Sequence, residues 1–542
     1  MQLCSRFCFL PLSILVNAKF DDSGFFHWFD EELQEVTNAQ LKFEGEVPSY
    51  IRGHFVQAGT GTYRMGNSRT THAFDGYGKI HRLHFGPDGI AFSSNFLRSN
   101  FYNESVAKNT IVPALLTGHT IPPMGGGPKA ALMGRNDNNL IKSHKVGAAE
   151  MYLSDTPVSV VMKDDFARVD EVLRPTLFAA GFSGKPWADQ IEPLLHICAT
   201  SIMAHGQTDP RTGRFVGAVS CISPADGIVP VLRDYHLVFE IDPAEPDNRK
   251  LLAKIELPFN RKASYMHCMG HTQNYVVLIA QPLHSSVVGI MEGKPMAEGA
   301  LILGNGTTFQ VVDRKNGSVR EFHHTGFLAG HVVNAWEEDG DILIDLTCYS
   351  ADWHMMFFGM FKFSNMRKEV RDAWPTNKII RFRLCRNGAV QEEDLLPKES
   401  GSNFELPAIN GRLHGVRRHC VAWFWQSAVN AYDEEWDSTK VGPVGTYGLA
   451  KRNFCSGERR GFYAPNEYPG EAVFLPDPES TEEDVGALVG MVLDANKNSS
   501  YVQIWDARTM QRIARADLPV RVPFTVHASF YPEGTPERQM MI

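Results

Sequence analysis

The sequence lacks the features that mark several large classes of protein. It has no long basic run, and 62 acidic residues outnumber 53 lysines and arginines to give a formal net charge of −9, which disfavours nucleic-acid binding. Its nine cysteines include no Cys-x-x-Cys pair. This argues against a disulfide framework and indicates ordinary core thiols, although a non-reducing compartment stays open. No low-complexity linker divides the 542 residues, so the chain predicts one large unit.

The first eighteen residues differ from the rest of the chain. Arg6 precedes a short apolar stretch at residues 7–15, and residues 16–18 supply small side chains of the kind that a signal peptidase prefers. The stretch is too short to span a bilayer. It predicts a cleaved signal or an organelle leader, with a poorly ordered N-terminus of a cytoplasmic protein as the alternative. We therefore divide the chain into a targeting segment (1–18), an N-terminal extension (19–40) and a single domain (41–542).

Most of the remaining sequence is typical of short strands joined by tight turns. Asn316-Gly317 separates two β-rich runs, and Asn387-Gly388 follows another at 379–384. An Asn-Gly pair between such runs is the strongest short-range signal for a hairpin. Repeated hairpins without long helical periods predict an all-β protein, a closed antiparallel array rather than an α/β sheet.

Four of the twenty histidines lie in strand-like surroundings at regular intervals. His205, His267, His331 and His527 are separated by 62, 64 and 196 residues, the last gap being close to three times the others. Such spacing is typical of a repeat in which each unit places one inward side chain at a common axis. Four neutral imidazoles there could bind one divalent metal ion. We interpret His271, in β-rich surroundings, as a core or loop residue and not a ligand.

In these four surroundings the sequence resembles the carotenoid cleavage oxygenases, whose iron-binding histidines occur in the same contexts. The resemblance runs from about Glu46 to Pro532 and includes His72-Ala73-Phe74-Asp75-Gly76, similar to the family's His-x-Phe-Asp-Gly signature. For this signature we favour a structural turn over chemistry, because Asp-Gly is a favoured corner. The resemblance implies a seven-bladed β-propeller with Fe²⁺ on its central axis and a cap of helices and loops over one face.

The resemblance also implies carboxylates behind the ligands, which accept the outward ring N–H groups and offset the charge of the metal. Glu405 and Glu471 match the family's glutamates, and Asp155 stands at the third position. Because aspartate is one methylene shorter, we expect it to reach its histidine only through water or a shifted strand, with an ordinary turn aspartate as the alternative. The seven residues are spaced by 50 to 74 positions, which suits one axial position per blade.

The activity that the resemblance implies is that of a non-haem iron(II) dioxygenase, an oxidoreductase that cleaves a conjugated double bond of a carotenoid or apocarotenoid. O₂ would supply one oxygen atom to each of two carbonyl products, with no organic cofactor and no catalytic residue beyond the iron site. The apolar runs at 111–116 and 353–361 favour a lipophilic polyene substrate. They are expected to frame its tunnel or to make peripheral contact with a membrane, a buried helix being the alternative.

Three alternatives stay open. Some relatives isomerise and hydrolyse retinyl esters on the same iron site, but the Pro-Asp-Pro-Cys segment of the vertebrate relatives is absent between Ser105 and Lys129. Others cleave stilbenes and use a lysine immediately before the acid of the first motif, where this chain has Ser154. A propeller that only binds ligands or partners, with a vestigial metal site, is the non-enzymatic alternative, and four intact histidine contexts disfavour it.

Overall fold

The computed structural model describes residues 20–124, 136–147, 149–155, 160–162, 197–222, 233–246, 249–299, 301–430 and 440–533. The targeting segment predicted for residues 1–18 lies outside these ranges. Within them, strands dominate the regular structure and form seven principal antiparallel sheets. We call these sheets blades 1 to 7.

The first four blades are built as follows. Blade 1 contains Val36–Leu41, Gly53–Thr62, Tyr77–Gly86, Gly89–Phe96 and Thr525–Pro532. Blade 2 contains Lys142–Val146, Ala149–Leu153 and Val160–Met162. Blade 3 contains Ile197–Ile202, Gln207–Thr208, Phe215–Ile222, Tyr235–Ile241 and Arg249–Glu256. Blade 4 contains Met269–His271, Tyr275–Ala280, Thr307–Asp313 and Val319–His324.

The remaining sheets complete the set. Blade 5 contains Leu328–Glu338, Asp341–Tyr349, Lys378–Leu384 and Val390–Asp394. Blade 6 contains Asn403–Ala408, Val421–Ser427, Tyr447–Asn453 and Arg459–Phe462. Blade 7 contains Glu44–Gly45, Glu467–Pro469, Val473–Pro476, Gly486–Asp494, Ser499–Asp506 and Arg512–Asp517. Two small sheets consist of Arg64–Met65, Ser68–Thr70 and Thr120–Ile121, and of Leu283–Ser285 and Leu301–Leu303.

Strands from both ends of the chain close the ring of blades. In blade 1 the C-terminal strand Thr525–Pro532 pairs with Gly53–Thr62, and in blade 7 the N-terminal Glu44–Gly45 pairs with Arg512–Asp517. Each blade contacts the next along the chain, and blade 7 contacts blade 1. The predicted all-β, seven-bladed propeller is confirmed.

The hydrophobic core lies between the blades. Separate buried clusters fill the spaces between successive pairs, such as Val146 and Leu153 of blade 2 against Val219 and Leu237 of blade 3. Because both faces of an inner strand are covered, Phe215–Ile222 is buried along its whole length. This burial explains why such strands are continuous apolar runs in the sequence rather than alternating ones.

The predicted N-terminal extension packs against the propeller. Its 3₁₀ turn Phe25–Phe29 buries Phe25 and Trp28 completely. The Trp28 ring lies 4.8 Å from that of Tyr447 and 5.1 Å from that of Phe524. These aromatic contacts join the extension to blade 6 and to the segment that precedes the closing strand.

Helices and short turns form the expected cap over one end of the axis. In the described ranges the α-helices are Asn100–Lys108, Val287–Met291, His354–Gly359 and Lys368–Arg371. Among the described residues, the 3₁₀ turns besides Phe25–Phe29 are Ala73–Asp75, Met296–Glu298, Ala351–Trp353 and Phe363–Asn365. A further 3₁₀ turn, Gly411–Leu413, lies apart from the cap, between the first two strands of blade 6. The first helix begins where the Ser99 side chain accepts a hydrogen bond from the Tyr102 N–H. Among the described helices, none has both the length and the apolar composition needed to cross a bilayer.

The interpretation of the cysteines as ordinary core thiols is wrong for two of them. Cys420 and Cys455 form a disulfide at one end of blade 6, with their Cα atoms 5.3 Å apart. Cys268, Cys348 and Cys385 are free and buried, and Cys221 is also buried. The 35-residue separation of Cys420 and Cys455 carries no local signal, because their pairing depends on the strands Val421–Ser427 and Tyr447–Asn453 lying side by side.

Candidate metal centre

Each of the seven residues singled out in the sequence belongs to a different blade. His331, Glu405 and His527 lie on innermost strands of blades 5, 6 and 1. Asp155 follows Ala149–Leu153 in blade 2, and His267 precedes Met269–His271 in blade 4. His205 lies between two strands of blade 3, and Glu471 between two strands of blade 7. The predicted arrangement of one axial position per blade is therefore present.

The four histidines meet on the axis. One nitrogen of each lies within 4.8 Å of the others. The His331 Nε2 atom is 3.3 Å from His267 Nε2 and 3.2 Å from His527 Nε2. An ion with bonds of about 2.1 Å holds neighbouring ligand nitrogens roughly 3.0–3.4 Å apart. The buried Nε2 of His205 has no hydrogen-bond partner among the described residues, so a metal ion would satisfy it.

Carboxylates lie behind three of the four rings. His331 Nδ1 is 2.5 Å from Glu405 Oε2, and His527 Nδ1 is 3.3 Å from Glu471 Oε2. An outward N–H donated to a carboxylate fixes the tautomer that leaves Nε2 free for a metal. Among the described residues, none provides such a carboxylate for His205.

Asp155 contacts its histidine directly, so the expectation of a contact through water is wrong. Its Oδ2 atom lies 2.6 Å from His267 Nδ1 and accepts a second hydrogen bond, at 2.5 Å, from the hydroxyl of Tyr265. Its Oδ1 atom accepts from the backbone N–H of Ala204 at 3.0 Å. Direct contact is possible because the end of Ala149–Leu153 brings the Asp155 backbone close enough to His267.

Sequence reasoning missed the groups that hold the carboxylates. Tyr265 lies two residues before His267, and nothing in the local sequence indicates that its hydroxyl contacts Asp155. Glu405 accepts hydrogen bonds from the Thr347 hydroxyl at 3.1 Å and from the Asn377 side-chain amide at 3.0 Å. The backbone N–H of Ala528 donates to Glu471 Oε2 at 2.5 Å. These donors come from distant parts of the chain, and only the assembled blades bring them together.

Irregular backbone aims two of the side chains at the axis. The pairing register shifts between Ala329 and Val332, on either side of His331, and again after Glu405. Such bulges commonly re-aim side chains at functional sites. A Cβ atom at Gly330 would collide with the Glu405 carboxylate and with the Thr347 hydroxyl, so glycine allows the close approach there.

The electrostatics keep two of the four rings, His205 and His527, in the form that binds a metal. Burial, helped by the other imidazoles, lowers the pKa of His205 and His527 well below the usual value. Both are therefore neutral at pH 7, the form in which imidazole binds metal. For His267, burial acts to lower the pKa, but the Asp155 carboxylate outweighs it and raises the pKa. Burial also raises the pKa of Glu471.

A cavity of about 200 Å³ leads to the histidines from the capped end. It reaches His267, His331 and His527. Its apolar wall includes Phe74, Leu115, Met296, Phe357, Phe358, Met360, Phe361, Trp425 and Phe524. Both apolar runs noted in the sequence contribute to this wall, as the tunnel alternative predicted. A smaller polar cavity of about 160 Å³ reaches His205, His331 and His527 and includes Lys142, Gln207 and His414.

Two other histidine motifs have structural roles in the described part of the chain. His72 donates from Nε2 to the Phe358 carbonyl, and its Nδ1 accepts from the Phe74 N–H. Asp75 accepts from the backbone N–H groups of Thr117 and Gly118, both at 2.7 Å. The signature thus holds the cap in place, as the turn interpretation predicted. His271 is buried in its strand and packs against His414, outside the four-histidine group.

The fold and this centre define a β-propeller with four histidines on its axis that could hold one metal ion. Comparison with known families matches residues 27–532 to the model of the retinal pigment epithelial membrane protein. The chain belongs to this family.

Curated relatives are similar over nearly the whole chain. The mitochondrial carotenoid-cleaving dioxygenase of Macaca fascicularis is 23% identical, with 90% of this chain and 91% of the relative covered. The β,β-carotene 15,15′-dioxygenase of Gallus gallus is also 23% identical, with 93% and 97% covered. Among solved structures, a variant of the Synechocystis apocarotenoid oxygenase is 19% identical with a TM-score of 0.73, covering 95% of this chain and 99% of its own.

Proposed function

We propose that the protein is an iron(II) dioxygenase that cleaves a conjugated double bond of a carotenoid or apocarotenoid with O₂. The observation that carries the proposal is the convergence of the Nε2 atoms of His267, His331 and His527 beside the unpartnered Nε2 of His205. An all-nitrogen donor set suits a divalent first-row transition metal. Relatives named as carotenoid-cleaving and β,β-carotene dioxygenases support the same reaction.

Iron(II) bound by the four histidines would supply the site at which O₂ is activated next to the double bond. The rest of the work belongs to the protein. Asp155, Glu405 and Glu471 orient three of the rings and offset positive charge. The cap excludes water, and the aromatic wall holds the polyene so that one double bond lies beside the histidines.

A conjugated, lipophilic substrate fits the cavity better than a polar one. Phe74, Phe358, Trp425 and Phe524 present aromatic surface to it, and flat π-systems pack well against such rings. Ser154 lines the cavity beside Asp155, where the stilbene-cleaving relatives carry lysine. A cation to bind a phenolate is therefore missing from this position.

We further propose that an apolar patch by the cavity docks on a membrane surface. Val288, Ile302, Leu303, Trp353 and Met355 are each between 39% and 65% exposed. The strand Leu301–Leu303 and the helix His354–Gly359 both contact Met296–Glu298, whose Met296 lines the cavity. Exposed apolar clusters of this kind mark interaction surfaces. Replacing Val288, Ile302 and Met355 with serine should abolish flotation with neutral phosphatidylcholine vesicles, whereas Val416→Ser should not, and unchanged flotation would refute the docking surface.

The compartment that we propose is an oxidising one. The Cys420–Cys455 disulfide is of a kind that is rare where glutathione keeps thiols reduced, and it favours the signal interpretation of residues 1–18. The test is to isolate the protein under thiol-blocking conditions and to map Cys420 and Cys455 by mass spectrometry. A linked peptide supports the proposal, and two blocked free thiols contradict it.

The proposed function is tested by loading the protein with Fe²⁺, Co²⁺ or Zn²⁺ and separating the products from a panel of carotenoids and apocarotenals. We expect about one metal ion per chain at the four histidines in each case, and carbonyl products only with iron. Replacing His205, His267, His331 or His527 with alanine should remove most of the metal and the activity. The matched control, His271→Ala, should retain both. Turnover with zinc, or with the His331→Ala protein, would contradict the proposal.

A further inference from the structure

A second group of ligand-type side chains lies on blade 1 and lines neither cavity of the axial centre. His54 is on Gly53–Thr62, His84 is on Tyr77–Gly86, and Glu533 follows the closing strand Thr525–Pro532. The pairing register sets His54 directly opposite His84. Directly opposed residues of antiparallel strands lie on the same face. The proposed oxygenase reaction has no use for this group.

The three side chains meet at one carboxylate oxygen. Glu533 Oε1 lies 2.6 Å from His84 Nε2 and 3.7 Å from His54 Nε2. The two imidazole rings are nearly parallel, with centroids 4.5 Å apart, and both Nε2 atoms face the same Glu533 oxygen. Ligand atoms on one tetrahedral zinc ion are separated by roughly 3.3 Å. The two observed distances lie on either side of this value, and shifts of about 1 Å at the side-chain ends would equalise them.

The backbone holds the three groups in place. The Glu533 N–H donates to the Arg52 carbonyl at 3.1 Å, and His54 also pairs with Tyr531 of the closing strand. The side chains of His54, His84 and Glu533 are 21%, 40% and 42% exposed. A metal ion can therefore enter from solvent, and water can complete its coordination.

The surrounding charges select the kind of ion. Burial, together with Arg82 and His84, lowers the pKa of His54 to about 4, so its ring is neutral at pH 7. Arg82 is bound by Glu150 at 2.8 Å, and Lys145 adds positive charge near His54. A single carboxylate in such surroundings is a poor site for Ca²⁺ or Mg²⁺, which need several oxygen ligands. Two imidazoles and one carboxylate instead suit Zn²⁺ or a similar borderline ion.

We propose that His54, His84 and Glu533 form a second metal site, which binds Zn²⁺ or a chemically similar divalent ion. The ion would tie two strands from the N-terminal part of blade 1 to the residue that follows its C-terminal strand. Since this pairing closes the propeller, bound metal would stabilise the ring against opening. The role is structural and independent of the axial centre.

The test is a zinc titration of the iron-loaded, full-length protein, with zinc and iron measured in the same sample by mass spectrometry after buffer exchange. We expect one zinc per chain in addition to unchanged iron, and a zinc-dependent rise in the thermal midpoint. His84→Ala and Glu533→Ala should each weaken zinc binding at least about tenfold, as loss of one of three ligands requires. The exposed His27→Ala is the matched control and should bind zinc like the unaltered protein.

Two results would overturn the second site. One is equal zinc uptake by the His84→Ala, Glu533→Ala and unaltered proteins. The other is zinc that enters only as iron leaves, which would place it at the axial histidines. Iron content reports folding, because both variants should keep the iron of the unaltered protein. The proposal therefore stays testable whether or not the oxygenase reaction is observed.

Discussion

Replacing Asp155 with asparagine should weaken metal binding more than replacing Glu471 with glutamine. Asp155 accepts three hydrogen bonds, from His267 Nδ1 at 2.6 Å, from the Tyr265 hydroxyl at 2.5 Å and from the Ala204 N–H at 3.0 Å. An asparagine offers only one acceptor oxygen. Its NH₂ group would therefore point at one or more of the three donors and lose that hydrogen bond. The contact of Glu471 with His527 is longer, at 3.3 Å. The glutamine oxygen can still accept from the Ala528 N–H.

The expected magnitudes follow from these contacts. Replacing a residue that accepts a hydrogen bond from a metal ligand typically lowers metal affinity 10- to 100-fold, or by about 1.4–2.7 kcal/mol. We place Asp155→Asn and Glu405→Gln near the upper end and Glu471→Gln near the lower end, roughly tenfold apart. Tyr265→Phe should cost less than Asp155→Asn, because it removes one donor to the carboxylate and leaves the hydrogen bonds from His267 and Ala204. Competition with a metal chelator measures all four, and a smaller loss for Asp155→Asn than for Glu471→Gln would refute the ranking.

Two further predictions concern residues away from the metal-binding atoms. Gly330→Ala should displace the Glu405 carboxylate and lower metal affinity. The control Gly359→Ala should not, because its Cβ would make only an ordinary contact. Equal metal affinities of the two variants in a chelator assay would contradict this prediction. Replacing both Cys420 and Cys455 with serine should lower the free energy of unfolding by about 4 kcal/mol, because the disulfide closes a loop of 35 residues. Urea denaturation would show this as a lower midpoint, and a reductant should lower the midpoint of the unaltered protein but not that of the variant.

The family resemblance implied the seven-bladed propeller, and the spacing of the four histidines supported a common axis, because the same requirement recurs in every blade. Each blade must place one side chain at the axis, and this repetition leaves a spacing that can be read along the chain. Asn-Gly turns mark several of the hairpins, as at Asn316-Gly317 between Thr307–Asp313 and Val319–His324. Burial of both faces of the inner strands accounts for the continuous apolar runs.

The remaining features depend on distances that spacing does not encode. One methylene fewer at Asp155 predicted a contact through water or a shifted strand, and the carboxylate contacts His267 directly. Tyr265, Thr347 and Asn377 hold the carboxylates through contacts between side chains of different strands or blades. The Cys420–Cys455 pair likewise exists only because two strands of blade 6 are neighbours. Such contacts are set by tertiary packing and leave no periodic pattern.

The most direct test of the central claim is the fate of labelled oxygen. The iron-loaded protein is incubated with a carotenoid or apocarotenoid under ¹⁸O₂, and both products are analysed by mass spectrometry before their carbonyl oxygens exchange with water. We expect two shorter carbonyl products with label in each, and no turnover without oxygen. Unlabelled products, or turnover that continues unchanged under anaerobic conditions, would contradict the dioxygenase reaction and favour isomerisation and hydrolysis at the same four histidines.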